Sequence, residues 1–168
     1  APTRRVMQNG DIVFVDFCGC YDRYHVNLNR TFGIGEVDNR WIELMAKAAK
    51  CIDHIKEEVH LGDPLHKVDE VAQEYIDEAG LRNYVWWVGG YAQEIAVPAD
   101  WCGNHWLNPR FDMGAPNIQP GMVFNLENQF DVWEDWPGGT GCAYIESILV
   151  TNNGLEVLSN LPRTIVTI

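Results

Sequence analysis

"GDIVFVDFCGCYDRYHVNLNRTFGIG", residues 10–35, is the stretch on which the fold turns. Its first part, "DIVFVDF" (11–17), is rich in β-branched and aromatic residues and is bounded by Gly10 and Gly19, which predicts a strand. The continuation "YHVNLNRTFGIG" predicts a second strand returning beside the first, with the turn near residues 21–23, so the stretch reads as a β-hairpin. Asp16 stands at the end of the first run, where burial of a carboxylate demands a partner. Asn27 follows eleven positions later on the returning strand.

Working outward, the period changes after residue 38. Trp41, Leu44, Met45, Ala48, Cys51, Ile52, Ile55 and Val59 recur at three and four, the stripe of one amphipathic helix with Asp38 or Asn39 as N-cap. A second stripe runs through Val68, Val71, Ala72, Tyr75, Ile76 and Ala79, after "GDP" and before Gly80, which is placed to cap its end. Beyond Leu81 the helical period stops, and "NYVWWVGG", "GMVFNLENQF", "GCAYIESILVT" and "LEVLS" read as strands separated by Gly, Pro and Asn. This order predicts an α+β domain whose helices pack on one face of a largely antiparallel sheet. With 168 residues, 46% apolar and no repeat or linker, the chain reads as a single domain, 1–168.

Composition narrows the partners. A formal net charge of −12 argues against nucleic acid, which needs a basic face, and is the ordinary mark of an acidic, soluble surface. No apolar run approaches the roughly 18 residues needed to cross a bilayer, and "APTRRVMQNG" has no apolar core of a signal peptide. A small-molecule substrate is therefore expected, with no nucleic acid and no membrane. Five cysteines, Cys18, Cys20, Cys51, Cys102 and Cys142, are an odd number without a C-x-x-C pair, which suits a reducing cytoplasm.

Asp16, Glu127 and Glu146 each interrupt an apolar strand, a costly placement unless the carboxylate is paired, hydrogen-bonded or bound to metal. Three such residues suggest one shared site. Alternation equally allows each to face solvent, and favours that for Glu146, flanked by Ile145 and Ser147. His105, in the Trp-rich "DWCGNHWLNP", is a candidate acid/base or ligand, or merely hydrogen-bonded; His25 is a weaker candidate, and His54, His60 and His66 read as helix-surface residues. Trp86, Trp87, Trp101, Trp106, Trp133 and Trp136 all fall in the strand-and-loop half, and indoles with carboxylates suit a compact cationic or zwitterionic ligand. At most three are expected at the site.

"PTRRVMQNGDIVFVDFCGCYDRYHVNLNRTFGIGE", "QPGMVFNLENQF" and "AYIESILVTNNGLEVLSNLP" resemble, in order and spacing, the catalytic domain of the pita-bread superfamily. That superfamily holds methionine aminopeptidase, aminopeptidase P, prolidase, creatinase and ectoine hydrolase. The resemblance implies a curved, mostly antiparallel sheet with helices on one face. Its metallopeptidases hold two divalent ions with two Asp, one His and two Glu. Carried onto this sequence, those five positions are Asp16, Asn27, Tyr91, Glu127 and Glu146, so two of them differ. An Asn oxygen cannot bridge two cations as a carboxylate does, and a tyrosine hydroxyl is a poor substitute for imidazole.

What the resemblance then implies is Asp16, Glu127 and Glu146 holding no metal or one weakly bound divalent cation (Mn, Zn, Fe or Co). Glu127, Glu146 and His105 are the candidate catalytic residues, with Asn27, Tyr91, Trp101 and Trp106 around the substrate. "GCYDRYH..L.RT" and "YA..IAVPADW" resemble the ectoine-hydrolase side, and creatinase is a precedent for metal-free C–N hydrolysis. The expected activity is hydrolysis of a C–N bond in a small amide, amidine or cyclic substrate. The alternatives are a metal-dependent Xaa-Pro dipeptidase or aminopeptidase and a catalytically silent binding domain. A homodimer is also expected. Only ten residues precede Asp11, where the superfamily has further helices, strands and a substrate-contacting histidine, so the expectation is either the C-terminal piece of a longer protein, its N-terminal segment or chain missing, or a truncated domain.

Overall fold

The computed structural model describes residues 4–95, 102–111 and 114–168. Strands β1 (Ile12–Tyr21) and β2 (Tyr24–Gly33) pair antiparallel along their whole length, from Ile12↔Gly33 to Tyr21↔Tyr24. The two loop residues, Asp22 and Arg23, have φ of 49° and 70°. Positive φ at both centres marks a type I′ turn, whose twist matches that of the strands it joins. Against expectation, β1 is not a buried strand: Phe14, Val15, Asp16 and Phe17 are all exposed. Among the described residues it lies at the edge of the sheet, with β2 as its strand partner.

The expected first helix is two, α1 (Asn39–Ala48) and α2 (Cys51–Glu58), and Asp38 caps the first by accepting from the Arg40 N–H at 2.9 Å. The break has a cause in side chains. Tyr75 Oη donates to the carbonyl of Lys47, Tyr144 Oη to that of Ala48 and Arg163 Nη1 to that of Ala49, each at 2.8 Å. Three successive acceptors are drawn out of the helical ladder, so the chain kinks there. Helix α3 (Lys67–Glu78) ends as the sequence predicts. Gly80 has φ of 69°, its N–H donates to Asp77 O, and the Leu81 N–H donates to Ile76 O, the paired bonds of a Schellman cap.

The remaining strands are β3 (Val85–Gly89), β4 (Tyr91–Gln93), β5 (Cys102–Trp106), β6 (Val123–Asp131), β7 (Gly141–Thr151), β8 (Gly154–Val157) and β9 (Val166–Thr167). They build one nine-stranded sheet, β1-β2-β7-β6-β4-β5, with β3 beside β6, β8 beside β7 and β9 beside β2. Every pairing is antiparallel except β9 with β2.

Alternation gives this sheet two unlike faces. One carries Phe124, Leu126 and Phe130 of β6 with Tyr144, Ile148 and Val150 of β7. These close a single core against Trp41, Met45, Ile52, Ile55, Val68 and Ile76 of the helices. Each such side chain contributes about 1.5–3 kcal/mol by leaving water. The other face carries Asn125, Glu127 and Gln129, and the site forms there.

Candidate active site

The sheet curls, with β2 meeting β7 through one backbone pair and flanking side-chain bonds. Their strand pairing is Asn29↔Ile145; two residues earlier, Ser147 Oγ accepts from the Asn27 N–H at 3.1 Å and donates to the Asn27 carbonyl at 3.0 Å. A side chain thus stands where backbone pairing would continue. The start of β2 meets residue 95 instead, through a Tyr24↔Ile95 bridge. Across the resulting cup, register sets Asp16, Asn29, Ile145, Glu127 and Gly89 in one rank.

Glu127 is 8% exposed and surrounded by donors. Its Oε1 accepts from Tyr91 Oη at 2.8 Å, Asn125 Nδ2 at 2.9 Å and Asn27 Nδ2 at 3.2 Å; its Oε2 accepts from Gln129 Nε2 at 3.0 Å. Asn27 Nδ2 also reaches Tyr91 Oη at 3.2 Å. Burial pushes the Glu127 carboxyl above its ordinary range; the bonds from Tyr91, Asn125 and Gln129 pull it back, and the nearby Asp16 charge pushes it up again. Asn27 and Tyr91 therefore gather around Glu127, with Asp16 three strands along the same rank.

Glu146 does not join them. Leu126↔Glu146 and Glu127↔Ile145 are successive pairs of one ladder, so the two glutamates point to opposite faces. Glu146, 1% exposed, receives Arg30 Nη2 at 2.5 Å. Arg30 is held in turn by the carbonyls of Asn29, Ile145 and Leu161 and by Ser159 Oγ. Burial raises the Glu146 carboxyl and Arg30 opposes that rise. Glu146 is thus neither the solvent-facing residue that alternation favours nor a neighbour of Glu127 on the cup face.

His105 lines a separate cavity of about 220 Å³ with Leu65, Gln93, Met122 and Phe124, and none of the groups bonded to Glu127 lines it. Trp106 is opposite Tyr91 in the β4–β5 pairing and touches its ring edge-on at 5.2 Å between centroids. Trp101 lies outside the described residues. Trp86 and Trp133 are exposed, and Trp136 packs edge-on against the fully buried Trp41, away from the cup.

A dinuclear metal centre does not fit these residues. The bridging position is a neutral amide, three donors already converge on Glu127 Oε1, and Glu146 is committed to Arg30 on the other face. Among the described residues no three His, Cys, Asp or Glu side chains form a group that could hold an ion. Sequence reasoning missed Asn125, Gln129 and Arg30. For the two amides a signal exists in "NLENQ": residues two before and two after a strand glutamate share its face.

A curled, mostly antiparallel sheet backed by helices, with the site on its open face, defines a pita-bread domain. The chain belongs to the metallopeptidase family M24, whose model matches residues 1–152. It is 27% identical over 168 residues to a probable dipeptidase PepE of Mycobacterium bovis, covering 98% of this chain and 41% of that protein. It is 28% identical over 164 residues to the ectoine hydrolase of Halomonas elongata, covering 93% of this chain and 37% of that one. A dipeptidase structure from Pyrococcus horikoshii superposes with a TM-score of 0.82 at 24% identity, over 99% of this chain and 44% of its own. The chain thus spans about two fifths of the length of these relatives.

Proposed function

We propose that this domain hydrolyses a C–N bond in a small amide, amidine or cyclic substrate without a dinuclear metal centre. The observation that carries the reading is the buried Glu127 carboxylate, held by neutral donors on the face it shares with Asp16. A carboxylate has roughly four lone-pair positions, and among the described residues Oε2 receives one donor, Gln129, so it can also take the proton of a water or substrate N–H. Glu127 moves that proton, and Asp16 at the exposed rim of the same rank orients the water. Tyr91, Asn27 and Trp106 shape the substrate's surroundings. Glu146 acts at a distance, by fixing Arg30 and through it the carbonyls of Asn29 and Ile145.

A second reading, a metal-dependent dipeptidase or Xaa-Pro aminopeptidase, is favoured by the names of similar proteins, among them an X-Pro aminopeptidase structure from Thermotoga maritima. One experiment separates these readings. Small amides, lactams, amidines and Xaa-Pro dipeptides are assayed with chelator and with added Mn²⁺, using the full-length protein and its Glu127→Gln variant. Turnover that persists in chelator and falls by about 10²–10⁴-fold in the variant supports the proposal. Turnover that requires Mn²⁺ supports the peptidase, and none on any substrate supports a binding domain.

A further inference from the structure

Gln93 and His105 meet at a cavity that the Glu127 cup does not use. It holds about 220 Å³ where β4, β5 and the start of β6 come together beside Leu65, just ahead of α3. Leu65, Met122, Val123 and Phe124 make its walls apolar, while Gln93 and His105 are its neutral polar groups. Gln93 is 8% exposed, yet neither its Oε1 nor its Nε2 has a hydrogen-bond partner among the described residues, and the same holds for the buried His105 Nδ1. A buried polar atom without a partner is costly, and native structures keep few of them. Three at one cavity point to a molecule that supplies the missing partners.

The three atoms specify its chemistry. A glutamine amide accepts at Oε1 and donates at Nε2 along one edge, so a single partner satisfies both when it carries a donor and an acceptor side by side. An N–H and a C=O on one edge is the pattern of a lactam or a primary carboxamide. The ligand N–H donates to Gln93 Oε1. The ligand carbonyl, with two lone pairs, accepts from Gln93 Nε2 and from His105 Nδ1 in the tautomer protonated there. The apolar walls take a short hydrocarbon body, and Glu94, the one charged side chain lining the cavity, disfavours an anion. We infer that this cavity is a second small-molecule site that takes a compact, uncharged ligand with such an amide edge. Asn27, Tyr91, Asn125 and Gln129, the groups bonded to Glu127, do not line it, so the assignment stands apart from the chemistry of the cup.

The test titrates 2-pyrrolidinone into the full-length protein and follows the Gln93 side-chain amide, the His105 ring and the Met122 methyl by nuclear magnetic resonance. These signals should shift saturably with one midpoint, whatever happens at the Asn125 and Gln129 amides of the cup; no saturable shift at the three overturns the inference. N-methyl-2-pyrrolidinone keeps the ring and carbonyl but lacks the N–H, and pyrrolidinium replaces the amide edge with a charge. Each should bind more weakly by on the order of tenfold or more, as expected where a site's polar groups lose their partners. Either one binding as tightly as the lactam overturns the amide assignment. Gln93→Leu keeps similar bulk without the amide. It should lose the His105 and Met122 shifts while melting no lower than the native protein, because an unpartnered buried amide does not help hold the fold. A variant that still binds the lactam, or one that melts clearly lower, overturns the inference, the latter by showing that Gln93 is bonded within the protein.

Discussion

Glu127 and Glu146 stand on neighbouring strands, on successive pairs of one ladder, and are buried by opposite means. On the helix side Glu146 meets a full cation, Arg30, 116 residues away in sequence. On the cup side Glu127 meets neutral amides and a phenol, two of them from its own strand. The lesson is that compensation decides use. A carboxylate matched by a buried guanidinium is locked into structure, whereas one held only by neutral donors keeps its charge available to a ligand or a proton.

The widest gap between the two should appear in stability. Arg30→Met leaves Glu146 buried without a cation, and should cost about 3–5 kcal/mol in urea unfolding. Arg30→Met with Glu146→Leu should recover most of that loss; a single variant costing under about 1 kcal/mol would show that the pair is not load-sharing in this way. On the cup side, Tyr91→Phe removes one donor to a charged acceptor and should cost about 1.5–3 kcal/mol by the same measurement. Glu127→Gln keeps the side chain's shape and an acceptor for three of its donors, so its cost should stay near 1 kcal/mol. If Glu127→Gln unfolds as easily as Arg30→Met, the contrast between the faces collapses.

A third carboxylate calibrates the pair with the smallest effect. Asp11 receives both Nη atoms of Arg5 and the Gln8 N–H, and these hold its carboxyl down at about 2. A depressed value stabilises the folded state above the ordinary carboxylate range, and that contribution disappears as pH falls through about 2. The Gln8 amide proton shift should titrate with that midpoint; a midpoint near 4, the usual Asp value, would mean Arg5 does not hold Asp11 in solution.

The hairpin is legible because two β-branched runs and a two-residue turn are local signals, and so is α3, whose stripe and Gly80 cap lie within fourteen residues of chain. Asp16 and Glu127 are legible as carboxylates interrupting apolar strands, but Asn27 and Tyr91 join them only through the resemblance, since register across several strands has no local signature. Arg30 sits in plain sight in "NRTF", yet its role depends on a glutamate far along the chain. The exposure of β1 also escapes periodicity, because an edge strand and a central strand share the same alternation.

The kink between α1 and α2 is installed by residues that come late. Tyr144 and Arg163 lie 96 and 114 residues beyond the carbonyls they capture. Without those captures, residues 38–59 are expected to favour one continuous rod, which bends as Tyr75, Tyr144 and Arg163 come to lie against it. A synthetic peptide of that span should show Hα(i)–HN(i+4) Overhauser contacts spanning Ala49 and Lys50, and their absence without the rest of the chain would assign the bend to local sequence instead.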